Sequence, residues 1–186
     1  NKIKNCKIKS MFKNKKVTIM GLGLHGGGKG AAKFFAEQGA KVLTTDLRTK
    51  NELKESIKKL KNFKIKYVLG KHREQDFINA DLIIKNPAVP NESPYLKIAQ
   101  KNNIPVETDI SIFFKLCPAP IIGITGTRGK STAAYLIYKF LKEKFKNKVI
   151  LAGNIRISCL DVLKKIQKDS LVVLELSSWQ LEGLPA

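Results

Sequence analysis

The stretch Ile121-Ile122-Gly123-Ile124-Thr125-Gly126-Thr127-Arg128-Gly129-Lys130-Ser131-Thr132 decides how the rest of the chain reads. An apolar run enters a glycine-rich turn, and Lys-Ser-Thr then opens a helical pattern through Ala133, Ala134, Leu136, Ile137, Phe140 and Leu141. Those are the parts of a phosphate-binding loop. Glycines let backbone N–H groups converge on an oxyanion, and the helix start adds the positive end of its dipole. Lys130 is positioned to reach the terminal phosphates of a nucleotide, and the Ser131 hydroxyl to sit on Mg²⁺. The spacing is a variant. The strict pattern asks for glycine five residues before Gly129, where this chain has Ile124, and Gly123, Gly126 and Gly129 stand in its place. The plain alternative is a strand-to-helix turn that binds nothing.

Downstream, 148–151 reads as a strand that ends at Gly153-Asn154, followed by a helical pattern through Leu160, Val162, Leu163 and Ile166. Leu171-Val172-Val173-Leu174 has the continuous apolar character of a strand buried on both faces, and Glu175 stands at its end. A carboxylate there, one β-α-β unit beyond a phosphate loop, can hold or orient Mg²⁺. It can also merely cap the next turn. Only 11 residues follow Glu175, too few to close a parallel sheet, so the sequence reads as the front part of a longer protein.

Upstream, Pro118-Ala119-Pro120 is a stiff linker and the expected boundary between a domain at 1–117 and the start of a second at 118–186. The first 16 residues are polar and basic. Val17-Thr18-Ile19-Met20 then reads as a buried strand leading into Gly21-Leu22-Gly23-Leu24-His25-Gly26-Gly27-Gly28 and a helix that Gly39 stops. The next strand, 41–45, ends at Asp46, an acid 20 residues after Gly26. Strand, G-x-G-x-x-G, helix, strand and acid make a dinucleotide-binding fingerprint. Gly21 is expected to make the tight turn, Gly23 the close approach of a diphosphate, and Gly26 the close helix–strand packing; Gly27 and Gly28 have no role in that scheme. The fingerprint does not say which nucleotide. A helix over 52–61, strands at 65–69 and 80–84, a rigid turn at 86–90, a helix from Ser93-Pro94, a short strand at 104–106 and a helix over 110–116, which Asp109 could cap, follow in order. Strands alternating with helices at this spacing mean an α/β fold with parallel sheets, a Rossmann-like unit followed by the start of a phosphate-loop unit.

Composition narrows the classes. A hydrophobic content of 43% is that of a globular chain. Lysine and arginine total 35 against 15 acids, a net charge of +20. The lysines are spread over every segment with no stripe interleaved with aromatics, so generic attraction to polyanions is expected and specific nucleic-acid binding is not. Three distant cysteines suggest neither a disulfide framework nor zinc and fit a reducing compartment. No run reaches the roughly 18 apolar residues of a membrane span, and no signal peptide is evident, so a cytoplasmic protein is expected. His25 and His72 are not catalytic candidates, and His72 reads as a solvated loop residue.

Gly123 to Thr132, Gly153-Asn154 and Leu174-Glu175-Leu176-Ser177-Ser178-Trp179-Gln180-Leu181-Glu182 together resemble the Mur ligases of peptidoglycan synthesis, with the D-glutamate-adding branch nearest. Gly-Leu-Gly-Leu at 21–24, Thr-Asp-Leu-Arg at 45–48 and Asn-Pro-Ala-Val-Pro at 86–90 support this, and the likeness runs from Val17 onward. The phosphate loop is common to Mur-type and folylpolyglutamate ligases. The resemblance implies a three-domain enzyme binding the UDP of a UDP-N-acetylmuramoyl-peptide in the first domain, ATP in the second and the incoming amino acid in the third. ATP would phosphorylate the substrate carboxylate, and the amine would attack the acyl phosphate. Gly23, Leu24 and His25 would then meet the diphosphate, Asp46 and Arg48 flank the uracil, and Asn86 and Asn154 face substrate. Gly126, Thr127, Gly129, Lys130, Ser131 and Thr132 would take the ATP phosphates, with Ser131 and Glu175 on Mg²⁺. The protein is expected to act as a monomer. Departures from the family pattern are His25 for Ser or Thr, and Ala88 and Arg156 for glycines. The family's metal-binding histidine, modified lysine and amino-acid domain have no counterpart in these 186 residues, so the chain alone is expected to bind UDP-sugar and catalyse nothing. Another Mur-type ligase or a non-catalytic nucleotide-binding module, then an NAD(P)-linked oxidoreductase, then a basic nucleic-acid binder are the alternatives, in that order.

Overall fold

The computed structural model describes residues 8, 10–24, 27–153 and 158–184. The chain divides into two compact units, one running to Asp109 and one beginning at Ile110. The division falls ahead of the Pro118–Pro120 linker.

In the front unit β1 (Lys16–Met20), α1 (Gly27–Glu37), β2 (Lys41–Asp46), α2 (Lys54–Lys58), β3 (Ile65–Leu69), α3 (Gln75–Ile78), β4 (Leu82–Lys85), α4 (Pro94–Lys101) and β5 (Val106–Glu107) follow one another. The strands form one parallel sheet in the order β3-β2-β1-β4-β5. Chain order reverses between β1 and β4, which opens a crevice at their carboxyl ends, where ligands of such sheets bind. Both faces of the sheet are covered. Ala31, Ala32 and Phe35 of α1 are fully buried, and Met20, Phe77, Ile83, Leu96 and Ala99 form a second core. A side chain such as Phe35, taken wholly out of water, contributes roughly 1.5–3 kcal/mol.

Element boundaries moved by a residue or two, with three larger differences. The expected helix at 52–61 is regular only over Lys54–Lys58. Ser93 precedes Pro94 at the first turn of α4 but makes no side-chain cap bond. The pattern at 160–166 resolves into a helix at Cys159–Val162 and a 3₁₀ turn at Leu163–Lys165.

The rear unit opens with α5 (Asp109–Leu116), whose first residue closes the front unit, and continues through β6 (Ile121–Ile124), α6 (Lys130–Phe145), β7 (Val149–Gly153), α7 (Cys159–Val162), β8 (Leu171–Glu175) and α8 (Ser178–Glu182). Its sheet is parallel in the order β6-β8-β7. The central place of β8 explains its uninterrupted apolar sequence: Val172, Val173 and Leu174 are fully buried. Ala134 packs on Val149 and Val173. α8 begins with a capping box, in which the Gln180 N–H donates to Ser177 Oγ and the Ser177 N–H to Gln180 Oε1. On α6, Lys139 lies over the Tyr135 ring and Lys142 over Tyr138. Lysine and aromatic side chains therefore do interleave here, against the sequence expectation, because positions four apart stack on one helix face.

Candidate functional site

The front crevice is built from three short segments. The first follows β1: Gly21 turns at φ +91° and Gly23 at φ +67°, conformations that favour glycine. The second follows β4, where the Asn86 side chain braces both loops. Its amide donates to Gly21 O at 3.3 Å and its Oδ1 accepts the Ala88 N–H at 3.1 Å. A Cβ on Gly21 would lie 2.9 Å from that of Asn86, so the two loops approach only because residue 21 has no side chain.

The third segment follows β2. Asp46 is buried, and both its oxygens are engaged by the chain itself: Oδ2 accepts the Gly23 N–H at 3.0 Å, and Oδ1 accepts the Arg48 N–H at 2.9 Å. The exposed Arg48 guanidinium stands 3.6 Å from Oδ1. Asp46 thus latches the glycine loop to the end of β2. The Gly23 N–H is already committed to that latch, and what Gly23 offers a ligand is close approach. Ser56 of α2, buried and unremarked in the sequence, donates to Gly23 O at 2.9 Å and holds the loop from its other side. Leu24 is exposed, and its carbonyl accepts from Lys29 Nζ at 3.0 Å.

Close helix–strand packing is made at Gly28, to which the sequence reading gave no role: a Cβ there would overlap Gly21 O and lie 2.5 Å from Leu22 O. Gly26 and His25 lie outside the described residues, so the role expected of His25 stays a sequence reading. His72 is not a solvated residue. It is half-buried, edge-on to Phe77 and Tyr95 at 6.0 and 5.1 Å, with Nδ1 2.7 Å from Thr45 Oγ1. The Thr45 hydroxyl donates to Lys71 O, so the Nδ1–H donates to Thr45 in turn, and the loop after β3 is tied down beside Asp46. A lone histidine between charged neighbours carries no sequence signal of this.

Burial pushes the His72 imidazole below its ordinary value, and the Asp46 charge opposes that. The unfolded chain then takes up the His72 proton at a higher pH than the folded one, so this part of the stability is complete above about pH 6.5 and falls as pH drops below it. In thermal melts from pH 7.5 to 5, a His72→Phe variant should lose midpoint less steeply than the parent. Parallel profiles would refute the assignment.

In the rear unit the loop after β6 is open to solvent. Gly126 has φ +149°, and Gly129, at φ +75°, is the residue from which α6 starts. Thr127, Ser131 and Thr132 are exposed around it. Lys130 folds back over the loop and donates to Gly126 O at 2.8 Å and Thr127 O at 3.4 Å. Its head is therefore at the loop and not in a buried ion pair. Glu175 pairs in register with Ile124, the last residue before that loop, and with Gly153 on the other side. A Cβ at Gly153 would overlap the Glu175 carbonyl, so glycine is needed there for the strands to close. Asn154 lies outside the described residues.

Glu175 is 2% exposed and its Oε2 has no hydrogen-bond partner. A buried carboxylate oxygen left bare costs free energy unless something positive meets it. A hard divalent cation such as Mg²⁺, which is commonly bound through one or two carboxylates together with substrate phosphates, fits such an oxygen. Glu175 and the Ser131 hydroxyl would be the donors to such an ion. No group of three or more His, Cys, Asp or Glu able to hold a metal by itself occurs among the described residues. Nor is any described helix long and apolar enough to cross a membrane.

Residues 15–108 match the family described as Mur ligase MurD-like, N-terminal domain. Among curated relatives, a UDP-N-acetylmuramoylalanine–D-glutamate ligase of Roseiflexus sp. (strain RS-1) is 50% identical over 170 residues, covering 91% of this chain and 36% of its own. That of Borreliella burgdorferi (strain ZS7) is 47% identical over 175 residues, covering 93% and 38%. The chain thus spans little more than a third of these relatives. Among solved structures, the UDP-N-acetylmuramate-alanine ligase MurC of Thermotoga maritima shares the fold at a TM-score of 0.54 and 21% identity, over 88% of this chain and 37% of that one.

Proposed function

The chain belongs to the MurD-like Mur ligases, matched through their N-terminal domain, and on that premise we propose that it is the UDP-binding domain and the first part of the ATP-binding domain of a D-glutamate-adding ligase. Residues 1–117 are the first of these and 118–186 the second. The full-length protein joins D-glutamate to UDP-N-acetylmuramoyl-L-alanine at the expense of ATP, as a cytoplasmic monomer. The observation that carries the ligase reading is the bare, buried Oε2 of Glu175, in register with the mouth of a phosphate loop. An oxidoreductase working from the front fingerprint has no use for it.

Two anions, a carboxylate and a triphosphate, must meet before an acyl phosphate can form. Lys130 offsets that repulsion, a reading supported by its ammonium resting on the loop carbonyls of Gly126 and Thr127. Gly126, Thr127, Gly129 and Thr132 enclose the ATP phosphates. Ser131 and Glu175 would hold Mg²⁺, which when bound would supply charge neutralisation at the phosphates. In the front unit the loop at Gly23 and Leu24 receives the UDP diphosphate, Arg48 and Asp46 flank the uracil, and Asn86 keeps the crevice at its width. Asn154 and His25 complete the substrate contacts.

Titration calorimetry of the 186-residue chain with UDP-N-acetylmuramoyl-L-alanine, UDP and NADH tests the assignment. The two uridine ligands should bind and NADH should not. Tighter binding of NADH than of UDP would overturn it.

A further inference from the structure

Resting on the reading of the front loop as a diphosphate site, we propose that Lys29 is the counter-charge of that site, its ammonium spanning from the loop carbonyl of Leu24 to the phosphate oxygens of the bound nucleotide. The loop as read from sequence offers backbone amides and no formal positive charge, whereas a nucleoside diphosphate brings two or three negative ones. Lys29 is the side chain in place to meet them.

It is the third residue of α1, in the first turn, where the orphaned N–H groups and the dipole already make the field positive. A cation is disfavoured at such a position, and the first turn has no acidic residue to compensate. The chain nevertheless bends this half-buried side chain back over the loop, 3.0 Å from Leu24 O. An ammonium has three donors, and one is used there. The carboxylate that ends β2 is committed elsewhere: both oxygens of Asp46 are taken by the Gly23 and Arg48 amides. Among the described residues, the carbonyl of Leu24 is the polar partner that Lys29 has.

A second cation reinforces the first. Lys59 follows α2, the helix that Ser56 anchors to Gly23 O; burial, and after it the Lys59 charge, hold Lys29 below the ordinary lysine value. Like charges such as these disfavour each other until an anion arrives. A phosphate group relieves that repulsion, and a neutral ligand does not.

The test is the affinity of the 186-residue chain for UDP and for uridine, in the parent and in Lys29→Met, Lys29→Arg and Lys59→Met. Lys29→Met should weaken UDP by about tenfold or more, the scale of a charge-assisted hydrogen bond to phosphate, and leave uridine within about twofold. Lys29→Arg should restore most of the UDP affinity, and Lys59→Met should weaken UDP by a few fold. The UDP affinity of the parent should also fall more steeply with salt than that of Lys29→Met. Equal UDP affinity in the parent and Lys29→Met would overturn the role of Lys29 while leaving the nucleotide site standing. An equal loss for uridine would reduce Lys29 to a prop for the loop. Should Lys29→Met fail to fold, a UDP affinity of the parent that falls no more steeply with salt than its uridine affinity would overturn the proposal. A parent that binds neither ligand would remove the nucleotide reading itself, and this inference with it.

Discussion

Alanine at Gly28 will cost the front unit about 3 kcal/mol or more, although it adds a single methyl group. The added Cβ would overlap the carbonyl oxygen of Gly21 and lie 2.5 Å from that of Leu22. Both are backbone atoms in the turn after β1, so no side chain can rotate away, and overpacking of this kind commonly costs 1–3 kcal/mol and sometimes more. Relief requires α1 to slide off β1, which loosens Ala31, Ala32 and Phe35, all now excluded from water. For a unit of about 100 residues, 1 kcal/mol corresponds to roughly 4–8 °C, so the thermal midpoint should fall by more than about 10 °C. UDP binding should go with it, because the same carbonyls belong to the glycine loop. Gly70→Ala is the control. At φ +79° with nothing within 4 Å of its Cβ position, it meets only backbone strain, about 1 kcal/mol. A Gly28→Ala protein melting with the Gly70→Ala protein would disprove the packing argument.

The second large effect concerns activity and leaves the fold alone. In the full-length ligase, Lys130→Ala should lower phosphate release that depends on D-glutamate by two to three orders of magnitude, the usual scale for removing one preorganised donor from a site of developing charge. Stability should scarcely change. Among the described residues, the Lys130 ammonium bonds to carbonyls of an exposed loop, contacts worth about 1 kcal/mol or less. Undiminished turnover would remove Lys130 from the phosphate site. A large drop in melting temperature would instead mean that the lysine holds the loop and not the ligand.

These two cases mark how far a single sequence reaches. Lys130 is legible in the sequence as a candidate, because a phosphate-loop pattern is contiguous: its glycines, lysine and hydroxyls are neighbours in the chain. The strands were legible for the same reason, since period and apolar runs are local. β8 declared its burial through Leu171 to Leu174, and β2 its end through Asp46. Gly28 was passed over, although it stands in plain view two residues past Gly26, because close packing of α1 on β1 depends on where the helix begins. The interleaved lysines and aromatics of α6 were missed for a related reason: the pattern appears only when positions four apart are wound onto one face.

By itself the sequence determined a parallel α/β chain with two glycine-rich strand-to-helix turns, and the order in which they come. Only the tertiary structure decided what each polar side chain answers to. It turned Asp46 onto the Gly23 and Arg48 amides, buried Ser56 under Gly23, set His72 between Phe77 and Tyr95, and left one oxygen of Glu175 bare opposite the end of β6. The reason is physical. Hydrophobic periodicity and turn chemistry act over a few residues, whereas a buried charge or hydroxyl takes its partner from whichever segment the fold brings within about 3 Å, and that segment is tens of residues away.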